Sequence, residues 1–287
     1  MTGRMLAVIP PVVGADHLDQ HPEVVVADVR WYLDGRDGHA AFAEAHLPGA
    51  VWVDLDRQLA AHGLAATEGR HPLPSPEDFA ASMGALGIGD HSVVVAYDDT
   101  GGLTAGRLVT MLRWLGRDAA VLDGGLAAWV ADGRPVATGP SPTPVPAVFT
   151  PSPWPSDRLI AADELPSLMA SGGVVLDARA AERFRGELAL VDPRPGHVPG
   201  ARNAPWSAVL GADGRFRSPD ELRTHYAALG VTGDHVPAAA YCGSGVSACM
   251  NLVAMELAGL PTPRLYVASW SGWSADPDRP TELGPAS

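Results

Sequence analysis

Apolar positions along the chain fall into two kinds of run. Short, unbroken ones recur: Val24-Val25-Val26-Ala27, Val93-Val94-Val95-Ala96, Val174-Val175-Leu176 and Ala238-Ala239-Ala240. Runs of this length without polar alternation predict strands covered on both faces, as in a parallel sheet. Over Leu103–Leu115 and Val246–Leu257 the apolar residues instead fall at helical spacing, and each stretch predicts a helix following a strand and a turn. Strand, turn and helix in alternation define an α/β fold with a parallel sheet.

The pattern occurs twice. Val24 to Arg30, with Asp28, reads like Val174 to Arg179, with Asp177. His46-Leu47-Pro48-Gly49-Ala50 matches His197-Val198-Pro199-Gly200-Ala201, and Val93 to Asp98 matches Ala238 to Cys242. Ala127-Ala128-Trp129 matches Ser271-Gly272-Trp273, and both tryptophans lie 31 positions after the residue that ends the preceding match, Asp98 or Cys242. Four matches in the same order indicate an internal duplication rather than the chance likeness of any two α/β segments.

Between the halves runs Pro140-Ser141-Pro142-Thr143-Pro144-Val145-Pro146, followed by Pro151, Pro153 and Pro155. Such a segment continues neither a helix nor a central strand and is expected to run extended as a semi-rigid connector. This predicts a first domain over 1–139, a linker over 140–155 and a second domain over 156–287, each half of ordinary domain size.

Composition narrows the function. With 46% hydrophobic and 18% charged residues, the chain has material for a substantial core. A formal net charge of -13 repels nucleic acid and anionic lipid, so neither is expected as a partner. No apolar run approaches the length of a membrane span. Met1–Val13 is too short and too broken by Pro10 and Pro11 for a secretory signal, and two cysteines make no disulfide framework. The expected compartment is the cytoplasm.

The chemistry concentrates at Tyr241-Cys242-Gly243-Ser244-Gly245-Val246-Ser247-Ala248-Cys249. Cys242 ends an apolar run and precedes a predicted helix, which puts it at the C-terminal edge of a parallel sheet, where open α/β sheets bind ligands. Two glycines let the backbone curl and turn N–H groups inward, a nest that stabilises negative charge. A thiolate is the reactive form of cysteine and would gain from such donors, as would a persulfide anion. Cys249 falls on the apolar helix and reads as a small core residue. It lies about 10 Å from Cys242 along a helical segment, too far for a disulfide.

This loop resembles the active-site loop of two-domain rhodaneses, and within that superfamily the Cys-Gly-Ser-Gly-Val-Thr loop of 3-mercaptopyruvate sulfurtransferases. Here Ser247 stands for the Thr, and the basic residues common in thiosulfate-preferring members are missing. The resemblance extends over nearly the whole chain through His71 with Leu73-Pro74, Asp123-Gly124-Gly125 with Trp129, and Arg183-Phe184-x-Gly186. It implies two tandem rhodanese-like domains, each a central parallel sheet flanked by helices. The second is catalytic and the first degenerate, with Asp98 at the position of the cysteine. It implies a sulfurtransferase that carries sulfane sulfur on Cys242 as a persulfide. The donor is a small molecule, 3-mercaptopyruvate or alternatively thiosulfate, and the acceptor a thiol, cyanide or a thioredoxin-like protein.

The same resemblance supplies site residues. Gly243, Gly245, Val246 and Ser247 surround the substrate. Arg183 takes the Arg-Phe-x-Gly position that binds the donor's anionic group, while Arg179 is either a second ligand or a structural partner of Asp177. A relay of loop Ser, His and Asp maps onto Ser244, His46 and Asp37, with Asp34 the alternative acid. His197 reads as structural, His71 as a domain-packing residue with some claim to the cleft, and Trp273 as core. Trp270 is placed at the wall of the site. The usual Tyr-Asp-Gly-Ser-Trp becomes Tyr266-Val267-Ala268-Ser269-Trp270, which puts the local turn in question.

Ten histidines and two cysteines show no metal-ligand spacing, and no nucleotide-binding fingerprint appears, so no cofactor or metal is expected. A cysteine phosphatase would need Arg six residues after Cys242, where Ala248 stands. A sulfur-carrying or binding module without turnover is the remaining alternative, against which the intact Cys242 counts.

Overall fold

The computed structural model describes residues 9–140, 143–189, 191–232 and 236–285. Residues 1–8, which hold most of the segment weighed as a signal, and Ser141 and Pro142 of the expected linker lie outside the described residues. The apolar runs form two separate sheets. In the first, β1 (Val12–Val13), β2 (Val25–Asp28), β3 (Val51–Trp52), β4 (Val94–Tyr97) and β5 (Ala119–Leu122) lie in the order β1-β5-β4-β2-β3. In the second, β6 (Val174–Asp177), β7 (Arg202–Asn203), β8 (Ala238–Tyr241) and β9 (Arg264–Leu265) lie in the order β7-β6-β8-β9. Every pairing is parallel. Leu159 makes a single parallel bridge to Leu265, the remnant in the second half of what β1 does against β5. The central strands β4, β6 and β8 are buried at every position, which is why they read as unbroken apolar runs rather than as alternation.

The duplication extends to buried polar groups. Arg30 makes a two-pronged pair with Asp28, its Nη2 2.7 Å from Oδ2, and also donates to Ala45 O. Arg179 repeats this with Asp177 at 2.6 Å and with Gly196 O. The Tyr97 hydroxyl accepts from Leu47 N–H, and that of Tyr241 from Val198 N–H. His46 stacks on Phe42 and donates from Nδ1 to Phe42 O at 2.9 Å; His197 does the same to Phe184 at 2.9 Å. Each of these duplicated buried donors thus finds its acceptor within its own half.

The two halves meet along the helices Ala105–Trp114 and Ala248–Leu257. Both begin later than the apolar periodicity predicts, because the first residues after each sheet form the functional loop. The two helices are close enough at Gly106 that a Cβ there would be in van der Waals contact with Met250 Sδ, 3.5 Å away. Val246 and Val253 of the second half pack into the core of the first, and Arg113 pairs with Glu256 across the boundary. Residues 143–155 form neither helix nor strand. They run along the first half, where Ala147 N–H donates to Gly84 O, Trp154 Nε1–H to Pro74 O, and Phe149 packs edge-on against Phe79.

In the first half, the loop after β4 closes on a carboxylate. Asp98 is fully buried and accepts from Thr100, Gly102, Thr104 and Ala105 backbone N–H groups and from the Thr100 and Thr104 hydroxyls, at 2.7–3.1 Å. Replacing it leaves the Gly102, Thr104 and Ala105 donors buried and unpartnered. Asp98→Ala is therefore expected to destabilise the chain by at least about 3 kcal/mol, read as a lower urea midpoint. An unchanged midpoint would refute this account of the loop.

Candidate active site

Cys242 follows β8 directly, at the position Asp98 holds after β4. The equivalence is visible in the backbone: Leu126 N–H donates to Asp98 O, and Trp270 N–H donates to Cys242 O, both at 2.9 Å. Where the first half has a carboxylate, the second presents sulfur. Cys242 Sγ accepts from Gly245 N–H at 3.1 Å. Gly245 sits at φ +78°, and a Cβ there would lie 2.5 Å from Val267 O, so only glycine turns this amide onto the sulfur. The Cys242 N–H donates to Ser269 Oγ at 3.1 Å, and Ser269 itself has φ 54°. Gly125 holds the matching position of the first half at the same φ. A serine in this left-handed conformation is strained by about 1 kcal/mol or more. Its hydroxyl bonds to the Cys242 N–H and to Tyr266 O, which answers how the turn forms without the usual Asp and Gly.

Both cysteines are buried free thiols. They differ in surroundings: Cys249 lies wholly inside, and burial pushes its thiol up to about 11, which keeps it protonated and unreactive. Cys242 sits beside polar groups from both halves. Ser244 Oγ lies 2.8 Å from Nδ1 of His71, and His71 Nε2 lies 3.0 Å from Asp56 Oδ1. Asp56 also accepts from Trp31 Nε1–H at 2.9 Å. The bond from His71 holds the Asp56 carboxyl below its usual range, so the acid is ionised and takes a proton-bearing Nε2. Burial pushes the His71 imidazole below 6.5 against the opposing pull of Asp56. Neutral His71 therefore accepts at Nδ1 from the Ser244 hydroxyl.

This geometry corrects the expected relay. His46 is tied to Phe42 O and stacked on its ring inside the first half, with no contact to Ser244. It does what His197 does in the duplicate. Asp37 is exposed and caps the helix Gly38–Glu44 through His39 and Ala40 N–H groups, while Asp34 pairs with Arg36; neither supports a histidine. The residues brought together are Ser244, His71 and Asp56. His71 is close to Ser244 only after folding, being 173 positions away; its place before Leu73-Pro74 marked it in the sequence, but as a domain-packing residue with some claim to the cleft rather than as the partner of Ser244. Trp270 lies fully buried under the Arg179 guanidinium, 4.7 Å away, rather than on a wall of the site.

Two arginines lie against the loop. A Cβ on Gly243 would come 2.9 Å from Arg70 Nη2 and 3.1 Å from Arg183 Nη2. Arg179 is not among them, since its guanidinium is occupied by Asp177 and Gly196 O; of its two readings, the structural one fits. Of the other expected loop residues, Val246 packs into the first half's core and Ser247 stands at the N-cap of the following helix. Arg107, fully buried, joins the arrangement from behind by donating to Gly245 O and His71 O at 3.0 and 3.1 Å.

A sulfur-bearing loop at a parallel strand's end, duplicated as a carboxylate-bearing loop, defines a tandem α/β protein of the rhodanese type. The chain belongs to this family: the rhodanese-like domain model matches residues 15–132 and 161–276. A probable 3-mercaptopyruvate sulfurtransferase of Pseudomonas aeruginosa is 45% identical over 268 residues, covering 92% of this chain and 93% of the relative. A putative thiosulfate sulfurtransferase, SseB, of Mycobacterium tuberculosis is 41% identical over 270 residues, covering 92% of each. Among solved structures, the 3-mercaptopyruvate sulfurtransferase SseA from Escherichia coli superposes with a TM-score of 0.78 at 31% identity, covering 91% of this chain and 99% of that one.

The relay has a pH signature. His71 must be neutral to accept from Ser244, and its affinity for a proton is depressed. The acid limb of kcat/KM assigned to it should fall below pH 6.5. Asp56→Asn removes the anion that favours imidazolium and should move that limb to still lower pH, with activity reduced on the order of 10²-fold. A limb that Asp56→Asn leaves in place would exclude His71 as its source.

Proposed function

We infer that the chain is an enzyme transferring sulfur from 3-mercaptopyruvate, through a persulfide on Cys242, to a thiol, cyanide or a thioredoxin-like acceptor. The single observation carrying this reading is the Gly245 N–H aimed at Cys242 Sγ beside the Ser244–His71–Asp56 relay. The relatives named as 3-mercaptopyruvate sulfurtransferases support it.

In the first step the Cys242 thiolate attacks the donor's sulfur. The carbon–sulfur bond breaks and its electron pair passes to the three-carbon fragment as an enolate. The proton lost from the donor thiol ends on carbon, giving pyruvate and leaving Cys242 as a persulfide anion. Atoms and charge balance without an oxidant. Ser244, hydrogen-bonded to His71, stands where it can stabilise the enolate oxygen and relay that proton. Arg183 holds the carboxylate by a charge-assisted bond. In the second step the acceptor attacks the outer sulfur and the sulfur–sulfur bond breaks, returning Cys242 as thiolate. A shared nucleophile gives ping-pong kinetics. Thiosulfate as donor is the second reading, favoured by the name of the Mycobacterium tuberculosis relative.

Incubation with 3-mercaptopyruvate is expected to add the mass of one sulfur to the Cys242 peptide under non-reducing conditions and none to the Cys249 peptide, and Cys242→Ser is expected to abolish turnover. An unmodified Cys242 with pyruvate still released would refute the mechanism.

A further inference from the structure

Arg70 and Arg183 reach the active-site loop from opposite halves and share one carboxylate. Arg70 Nη1 donates to Asp192 Oδ1 at 2.6 Å, and Arg183 Nη2 donates to Asp192 Oδ2 at 2.5 Å. The Asp192 side chain is only 1% exposed. It holds the two guanidiniums side by side over Gly243, next to the nucleophile. Arg179 Nη1 stands 3.9 Å from the same carboxylate, but its charge is already matched by Asp177. Both shared arginines keep a buried Nε without a hydrogen-bond partner among the described residues. Unpartnered buried donors of a cation mark a place for an anionic acceptor.

The charge of this cluster follows by counting its members: two guanidiniums and one carboxylate leave one positive charge. That matches a donor with a single carboxylate and a neutral thiol. It under-compensates a dianion. A dianion would also meet the Asp192 carboxylate with one extra unit of repulsion, in surroundings where water screens it poorly. We propose that Arg70, Asp192 and Arg183 together form the donor's anion site, and that Asp192 is the specificity-determining residue that favours a thiol-bearing keto acid over thiosulfate. The proposal rests on the sulfurtransferase reading above. It adds Arg70, contributed by the first half, as a direct ligand, and it gives Asp192 a role in donor choice by charge.

The test measures kcat/KM for 3-mercaptopyruvate and thiosulfate with cyanide as common acceptor, for the wild-type chain, Asp192→Asn, Arg70→Gln and Arg70→Lys. Asp192→Asn is expected to raise the thiosulfate-to-mercaptopyruvate ratio at least about tenfold, the scale of one unit charge pair at partly screened contact distance. Arg70→Gln should lower that ratio, because a dianion loses more from a missing cation, and should raise KM for mercaptopyruvate more than it lowers kcat. Arg70→Lys should return the ratio toward wild type. Loss of both donors by equal factors in the two charge-removing variants, or a ratio that moves the same way in both, would overturn the proposal, since a merely structural cluster behaves so. Absence of Cys242 persulfide in the wild-type chain with either donor would instead overturn the underlying enzymatic reading, and this one with it.

Discussion

One buried cation fixes where the two halves must meet. Arg107 belongs to the first half, is wholly inside, and spends its hydrogen bonds on carbonyl oxygens of Gly245, His71 and Leu59. A guanidinium with no carboxylate partner among the described residues is costly at this depth, and burial pushes its pKa down. The cost is tolerable only while those carbonyls stay in place. Two of them belong to groups that define the site. Gly245 carries the amide aimed at Cys242, and His71 carries the ring facing Ser244. Its charge also lies near the two thiols, which oppose the effect of burial. Docking of the halves and shaping of the site are therefore one event.

The close contact between the halves depends on glycine at two further points. A Cβ on Gly69 would lie 2.4 Å from Ala268 O, and one on Gly272 would lie 2.4 Å from Thr67 O. The segment that ends in Arg70 and His71 can thus lie flat on the helix Ser269–Ala275 of the other half, where Arg70 N–H also donates to Ser271 Oγ. The same turn holds Ser269, whose strained backbone places a hydroxyl on the Cys242 N–H. Duplication then makes sense of the division of labour. The first half keeps the loop but fills it with the Asp98 carboxylate, which consumes the loop's donors permanently. The second leaves the position to sulfur, which the Gly245 amide touches but does not enclose.

Much of this was legible from the sequence because it was local. Buried parallel strands announce themselves as unbroken apolar runs, and the ordered matches from Asp28 to Trp129 and from Asp177 to Trp273 disclosed the duplication. Cys242 stood out because Gly-Ser-Gly before a helix is poor core filling. What failed was assignment of partners across the domain boundary. His46 drew attention through its repeated motif, yet the repetition signalled the reverse. A residue present in both halves, including the half without sulfur, serves the shared fold, as the stacked pairs with Phe42 and Phe184 show. The four ordered matches between the halves do not cover His71 and Arg70, so repetition said nothing about either. Asp192 gave none, since its meaning comes only from two arginines 122 and 9 positions away.

Charge places a further constraint on what the site can accept. The chain carries a net charge of -13, so its surroundings repel an anionic donor, and a dianion more than a monoanion. Within the site the sign reverses, through Arg70 and Arg183, which Asp192 leaves with one net positive charge. Such a reversal confined to one place is effective only where water is scarce, because exposed charges more than a Debye length apart are screened from each other. Burial of Arg107 and near-burial of Asp192 meet that condition. They also explain why the positive charge is partly cancelled rather than maximised. Two uncompensated guanidiniums beside the buried Arg107 would destabilise the folded state, and the Asp192 carboxylate offsets part of that cost while leaving Arg70 and Arg183 one net positive charge for the donor.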